Sequence, residues 1–181
     1  MRPRGKSHGL SPKRRGAGGS QATALVGRDG WLFLLNDTNA SLDQYVGKLG
    51  PKPGWVWRWR RLLRARNEAM RKLGIPWLFT VAPNKEAVYG EMLPDGYPPT
   101  PKRPVHLLQE IAAEAGTTML YPVEALQAAK PEGPVYYQAD THWSPLGAYV
   151  AYREVCAQLE RWGFDLPLVT KDDIEWLPHP A

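Results

Sequence analysis

The segment Asp140-Thr141-His142-Trp143-Ser144-Pro145-Leu146-Gly147-Ala148 sets a carboxylate and an imidazole two residues apart at the mouth of a helix. A serine hydroxyl is a poor nucleophile until a base removes its proton. That base must be held in one tautomer by an acceptor on its other ring nitrogen. In extended backbone, alternate side chains share one side of the chain, so Asp140 can orient His142 and His142 can act as a general base. A strand-to-helix turn brings both groups to a strand's carboxyl end, where ligand sites of α/β sheets collect. The competing structural reading is that Asp140 only bonds amides at the helix entrance and His142 is a partly buried ring. Metal binding has no support in the spacing. His8, His106 and His179 fall in a polar arm, a helix start and a Pro-rich tail. No cofactor is expected.

The elements that hold this segment can be traced from the N-terminal side. Residues 25–35 predict two short strands, with Asp29-Gly30 supplying the turn. Residues 36–54 are polar and punctuated by Gly and Pro, and predict a loop. Trp59, Leu62, Leu63, Ala69, Met70 and Leu73 recur at helical spacing, which predicts a helix over 55–73 closed by Gly74 and Pro76. The apolar run 77–82 suits a buried parallel strand. A long loop over 83–100, a helix over 103–115 and a strand over 117–121 follow. A short helix near 122–129 and a weak strand over 135–137 come next. The last helix spans about 145–162, with Ser144 as N-cap, Pro145 as first residue and Gly163 as stop. Helices alternating with short apolar strands predict an α/β layered sheet with flanking helices.

Composition narrows the class. The 181 residues suffice for one domain with its own core, and 43% apolar content is ordinary for a globular chain. Arg2, Arg4, Lys6, Lys13, Arg14 and Arg15 are all basic, and the first acid is Asp29. Setting these six aside from the 23 basic residues leaves 17 against 18 acids, so the net charge of +5 is not a whole-molecule field. Residues 1–24 are too poor in apolar side chains to offset chain entropy and are expected to be a disordered basic leader. Residues 25–181 form the domain. No secretory h-region and no run long enough to span a bilayer is recognisable. Cys156 is expected to be a small core hydrophobe, and as the single cysteine it forms no internal disulfide.

Three motifs occur in order: Gly27-Arg28-Asp29-Gly30-Trp31-Leu32-Phe33, then Val81-Ala82-Pro83-Asn84-Lys85-Glu86-Ala87-Val88-Tyr89 with Leu93-Pro94, then the Asp140–Ala148 segment. Together they resemble the alginate O-acetyltransferase family, the AlgX/AlgJ-type SGNH-hydrolase-like domain, over roughly residues 25–165. The resemblance implies an SGNH-like layered sheet of permuted connectivity, here incomplete. It also implies that Asp140 orients, that His142 is the base, and that a serine in a later Gly-Asp-Ser-like turn carries the acetyl group to a polysaccharide hydroxyl. The implied partners are an anionic, alginate-like polysaccharide and an acetyl donor, reached through a membrane-bound acyltransferase. The implied location is periplasmic or membrane-associated.

The chain departs from the family pattern at its serines. None of Ser7, Ser11, Ser20, Ser41 and Ser144 sits in a Gly-Asp-Ser context. Ser144 reads as a helix cap, and Ser41 lies in a polar loop on the wrong side of the motif order. The chain is therefore expected to be the N-terminal portion of such a domain, with little activity of its own. A silent carbohydrate-binding or scaffold protein of the same fold is the alternative. Lys85 is expected to bind an anionic sugar or support the active-site loop. Tyr89 packs under that loop or touches substrate, and Trp143 stacks on a sugar ring or packs. Arg58, Arg60, Arg61, Arg64, Arg66, Arg71 and Lys72 surround the 55–73 helix. They read as a solvated face or a polyanion surface, and no nucleic-acid partner is expected.

Overall fold

The computed structural model describes residues 23–35 and 38–174. Asp29 and Gly30 both carry positive φ, 50° and 77°, and the chain reverses there. β1 (Ala24–Val26) and β2 (Leu32–Leu34) therefore pair antiparallel, Ala24 against Leu34 and Val26 against Leu32, as the Asp-Gly signal predicts. Most of the expected basic leader lies outside the described residues. Its last two residues belong to the fold: Ala24 opens β1, and the Thr23 carbonyl accepts from the Leu35 amide at 2.9 Å.

The segment expected to be a loop over 36–54 contains α1 (Ser41–Tyr45), which buries Ser41, Leu42 and Tyr45. The expected loop over 83–100 likewise contains α3 (Lys85–Val88) and a 3-10 turn at Gly90–Met92. Helices this short are too brief to show an apolar period, so tertiary packing specifies them.

α2 (Trp55–Leu73) has the predicted bounds, and Gly74 caps it in the left-handed conformation at φ 67°. The buried face differs from the predicted stripe. Leu63 is buried and Trp59 half-buried, whereas Leu62 and Leu73 are exposed. Adjacent leucines lie about 100° apart on a helix, and the buried face of α2 is the one turned to α4 (Pro104–Glu114), through Leu108, Ile111 and Ala112, and to Phe79, on which Trp59 stacks. Several cations on α2 are occupied locally. Arg60 bonds Glu114 at 2.8 and 3.0 Å, Lys72 pairs with Glu68, and Arg61 and Arg66 lie over Trp57 and Trp77.

β3 (Phe79–Thr80) and β4 (Met119–Leu120) pair in parallel, Phe79 with Met119. Both are shorter than predicted. Further bonds from the Phe79 amide to Thr118 and the Val81 amide to Leu120 bracket the pair, and Pro83, lacking an N–H, follows Ala82. α5 (Val123–Ala128) and α6 (Pro145–Arg161) complete the described α-helices. Ser144 caps α6 by accepting from the Gly147 amide at 3.2 Å, and Cys156 is buried, as predicted. The expected strand at 135–137 is instead a single antiparallel bridge between Tyr136 and Trp143.

One core gathers Leu63, Leu108, Ile111 and Ala112; the other gathers Phe33, Val88, Tyr89, Leu126, Val135 and Tyr136 under the Asp140 loop. Gly147 sets how close α6 approaches that second core, because a Cβ there would collide with the Val135 carbonyl oxygen. Helix propensity alone favours alanine over glycine by about 1 kcal/mol. The clash is with backbone, which cannot rotate away, so Gly147→Ala is expected to destabilise by about 3 kcal/mol. A shift of the urea midpoint to lower concentration checks this; a shift upward would show that propensity wins.

Candidate active site

The loop carrying the acid and the histidine is tied at both ends. Tyr136 and Trp143 form the bridge, the Tyr137 amide donates to the His142 carbonyl at 3.3 Å, and the Ser144 amide donates to Val135 at 3.1 Å. Between these ties Asp140 folds back on His142. One carboxylate oxygen, Oδ1, accepts both the His142 amide at 2.7 Å and the ring Nδ1 at 2.5 Å. With the carboxylate ionised, Nδ1 carries the proton, and Nε2 is the acceptor on a ring whose side chain is 82% exposed. The contact to the backbone amide is the one the structural reading expected, and the contact to the ring is additional to it.

The His142 amide, and then its ring, hold the Asp140 carboxyl below the ordinary carboxylate range. A depressed folded-state value means that this contact supports the loop above the unfolded-state pKa and is lost as pH falls through the folded one. A carbon-detected NMR titration of the Asp140 carboxyl is expected to show a midpoint below that of a free aspartate. An ordinary midpoint would mean that the contact does not persist in solution.

Of the two roles expected for Lys85, binding an anionic sugar or supporting the active-site loop, the observed contacts agree with the second. The residue is 3% exposed, and Nζ donates to the carbonyls of Leu32, Tyr137 and Gln138 at 2.6, 2.9 and 3.0 Å. All three ammonium protons are taken by main chain, so the side chain ties β2 to the base of the Asp140 loop. Burial lowers its pKa to about 8, opposed by the charges of Asp140 and Glu86. Tyr89, expected to pack under that loop or to touch substrate, is packed. It is 5% exposed, its hydroxyl accepts from the Val135 amide at 3.0 Å, and its ring stacks on Trp31 at 4.1 Å. Burial pushes its phenol above the ordinary value.

Trp143 is half-buried, and its Nε1 donates to the Tyr136 hydroxyl at 2.5 Å. That hydroxyl in turn donates to the Pro83 carbonyl, so the residue after the histidine is anchored to the turn that follows β3. Trp143 packs, and it also forms part of a cavity wall. The cavity has a volume of about 500 Å³ and is lined by residues including Ser41, Asn84, Glu86, His142 and Trp143.

Sequence reasoning missed Ser41, Asn84 and Glu86 as neighbours of His142. Asn84 and Glu86 lie inside a motif already singled out, flanking Lys85, and a tight turn there was the available signal. Ser41 had none, because the helix that carries it was not recognisable. Ser144 is spent on capping: its hydroxyl donates to Pro134 and accepts from Gly147. Among the described residues, no three His, Cys, Asp or Glu side chains gather into a metal-binding group, and no helix is long and apolar enough to cross a membrane.

Comparison with known proteins gives the site its context. The chain is 30% identical over 140 residues to the probable alginate O-acetylase AlgJ of Pseudomonas syringae pv. tomato, covering 75% of this chain and 33% of that protein. It is 26% identical to the corresponding protein of Pseudomonas aeruginosa, with 75% and 32% covered. The chain thus spans about a third of the length of the curated relatives it matches. Among solved structures it shares a fold with the O-acetyltransferase domain of Pseudomonas putida AlgJ, at TM-score 0.59 and 24% identity over 78% of this chain and 49% of that one. Pseudomonas aeruginosa AlgX aligns at TM-score 0.50 and 24% identity, covering 76% and 32%. The profile of the SGNH hydrolase-like domain, acetyltransferase AlgX, matches residues 24–170. That span contains all three motifs on which the resemblance was drawn, and the chain belongs to this AlgX-type SGNH hydrolase-like acetyltransferase family.

Proposed function

We propose that Asp140 and His142 are the orienting acid and the general base of an O-acetyl transfer site acting on hydroxyls of an anionic, alginate-like polysaccharide at the periplasmic side of the cell. The observation that carries this is the Nδ1–Oδ1 contact of 2.5 Å beneath an exposed ring in a cavity wall. Such a pair takes a proton from a nucleophilic hydroxyl and returns it to the leaving oxygen, while the carboxylate stabilises the imidazolium that forms. The acetyl donor would reach the site through a membrane-bound acyltransferase. The names of the relatives, probable alginate O-acetylases, support the reaction class.

A second reading is a silent carbohydrate-binding protein of the same fold. It is favoured by the state of Ser144, which is spent on capping and unavailable to the imidazole. One assay separates the two: acetyl transfer from an aryl acetate to a uronate tetrasaccharide, followed by mass, with binding of the tetrasaccharide measured alongside. Transfer lost in His142→Ala supports the transferase and also overturns the expectation that this chain supplies no nucleophile. Transfer indifferent to His142 rules out the proposed base. Absence of transfer, with binding that survives Asp140→Asn and His142→Ala together, favours the silent protein.

A further inference from the structure

The cavity that holds His142 does not end at Glu86. A second lobe of about 290 Å³ shares Asn39, Ser41, Ala82, Asn84 and Glu86 with it, so the two form one cleft across the carboxyl ends of β3 and β4. Tyr45, Trp55 and Tyr121 supply aromatic wall in the second lobe, and Arg103 stands among them.

Arg103 is the cation on the wall of this lobe. Arg28, Arg60, Lys72, Lys130 and Lys171 each pair with a carboxylate, whereas Arg103, like Arg61 and Arg66, has none within ion-pair distance among the described residues. Its Nη2 bonds the His106 ring at Nε2, 3.1 Å away. The other ring nitrogen of His106 is 2.8 Å from the Pro101 carbonyl, which makes Nδ1 the protonated nitrogen and Nε2 the acceptor. The guanidinium carbon sits 5.7 Å from the centre of the Tyr45 ring, and Nε is shielded from water with no hydrogen-bond partner. The His106 ring, the Tyr45 face and a side-chain hydrogen bond with Tyr121 fix the plane of the fork.

We infer that the Arg103 lobe is a carboxylate-recognition subsite, which takes the acid group of one uronate unit while a hydroxyl of another lies at His142. Guanidinium forks match carboxylates in two parallel bonds, and the aromatic residues offer faces for sugar rings. As the cation on the wall of this lobe, Arg103 is the place where the carboxylate charge is accepted. The inference rests on the acetyl-transfer reading only for the ligand's being a sugar chain.

The test compares a tetrasaccharide of β-linked uronate units with the same tetrasaccharide whose carboxyls have been reduced to alcohols, using the full chain and calorimetry. The uronate is expected to bind at least about tenfold more tightly than the reduced sugar. Arg103→Gln is expected to abolish that preference, and Arg103→Lys, which keeps a point charge but not the fork, to restore part of it. Since Arg103 also starts α4, a variant that fails to fold is replaced by a wild-type readout. The uronate, and not the reduced sugar, is expected to shift the His106 ring resonances. Equal affinity for the two sugars, a preference that survives Arg103→Gln in a folded variant, or unmoved His106 signals each overturn the subsite. None of these outcomes bears on whether His142 is needed for acetyl transfer, which the separate assay reads.

Discussion

Lys85→Met is expected to lower folding stability by about 3–5 kcal/mol, among the largest effects of any single substitution in this chain. The wild-type ammonium is buried and donates to three main-chain carbonyls on two segments, Leu32 on β2 and Tyr137 with Gln138 at the base of the Asp140 loop. Methionine fills much of the volume but donates nothing, and the three carbonyls cannot be removed with it. The Gln138 carbonyl keeps the Leu32 amide at 2.9 Å, and each shielded acceptor left without a donor costs about 1–3 kcal/mol. Urea denaturation measures the loss, and a change under about 1 kcal/mol would show that water replaces the ammonium without difficulty. Stability against pH supplies a second readout. The folded-state pKa of about 8 lies below the ordinary lysine value of 10.5, so the unfolded chain binds the proton more tightly between those limits. This group's contribution to stability therefore rises as pH goes from about 8 to 10.5, and Lys85→Met is expected to remove that rise from the pH profile.

Asp140→Asn is expected to leave the fold unchanged and to slow any acetyl transfer through His142 by about two to four orders of magnitude. A single carboxylate oxygen accepts both the His142 amide and the ring N–H, and an amide oxygen can accept the same two bonds. The loop geometry is thus preserved, while the negative charge that stabilises the imidazolium disappears. The expected pattern is a loss of kcat with an unaltered circular dichroism spectrum. Nitrogen-detected NMR of His142 checks the cause in the same variant, since the Nδ1 signal is expected to move when its carboxylate partner becomes an amide. Unchanged ring signals together with an unchanged rate would reduce Asp140 to a loop-forming residue.

The two catalytic candidates were legible in the sequence because the distance between them is local. Asp140 and His142 are two residues apart, and their contact is made within one loop by one oxygen. The same holds for the hairpin at Asp29-Gly30, the long helices α2 and α6, and the Ser144 cap, each fixed by turn chemistry, periodicity or capping within a few residues. Lys85 and Tyr89 were singled out on motif and position, but their roles depended on direction. A lysine after an apolar strand can point to solvent or inward, and here three carbonyls, all of them more than fifty residues away, draw it inward.

Sequence by itself determined which residues could make an acid–histidine pair and which long elements would hold it, since those are properties of neighbours along the chain. Tertiary structure decided the buried face of α2, the existence of α1 and α3, and the cleft in which Ser41, Asn84, Glu86 and Arg103 meet the site. Those outcomes follow from packing between segments distant in sequence. A helix of four or five residues, or the choice between Leu62 and Leu63, is worth too little locally to be settled before the partner surface is in place.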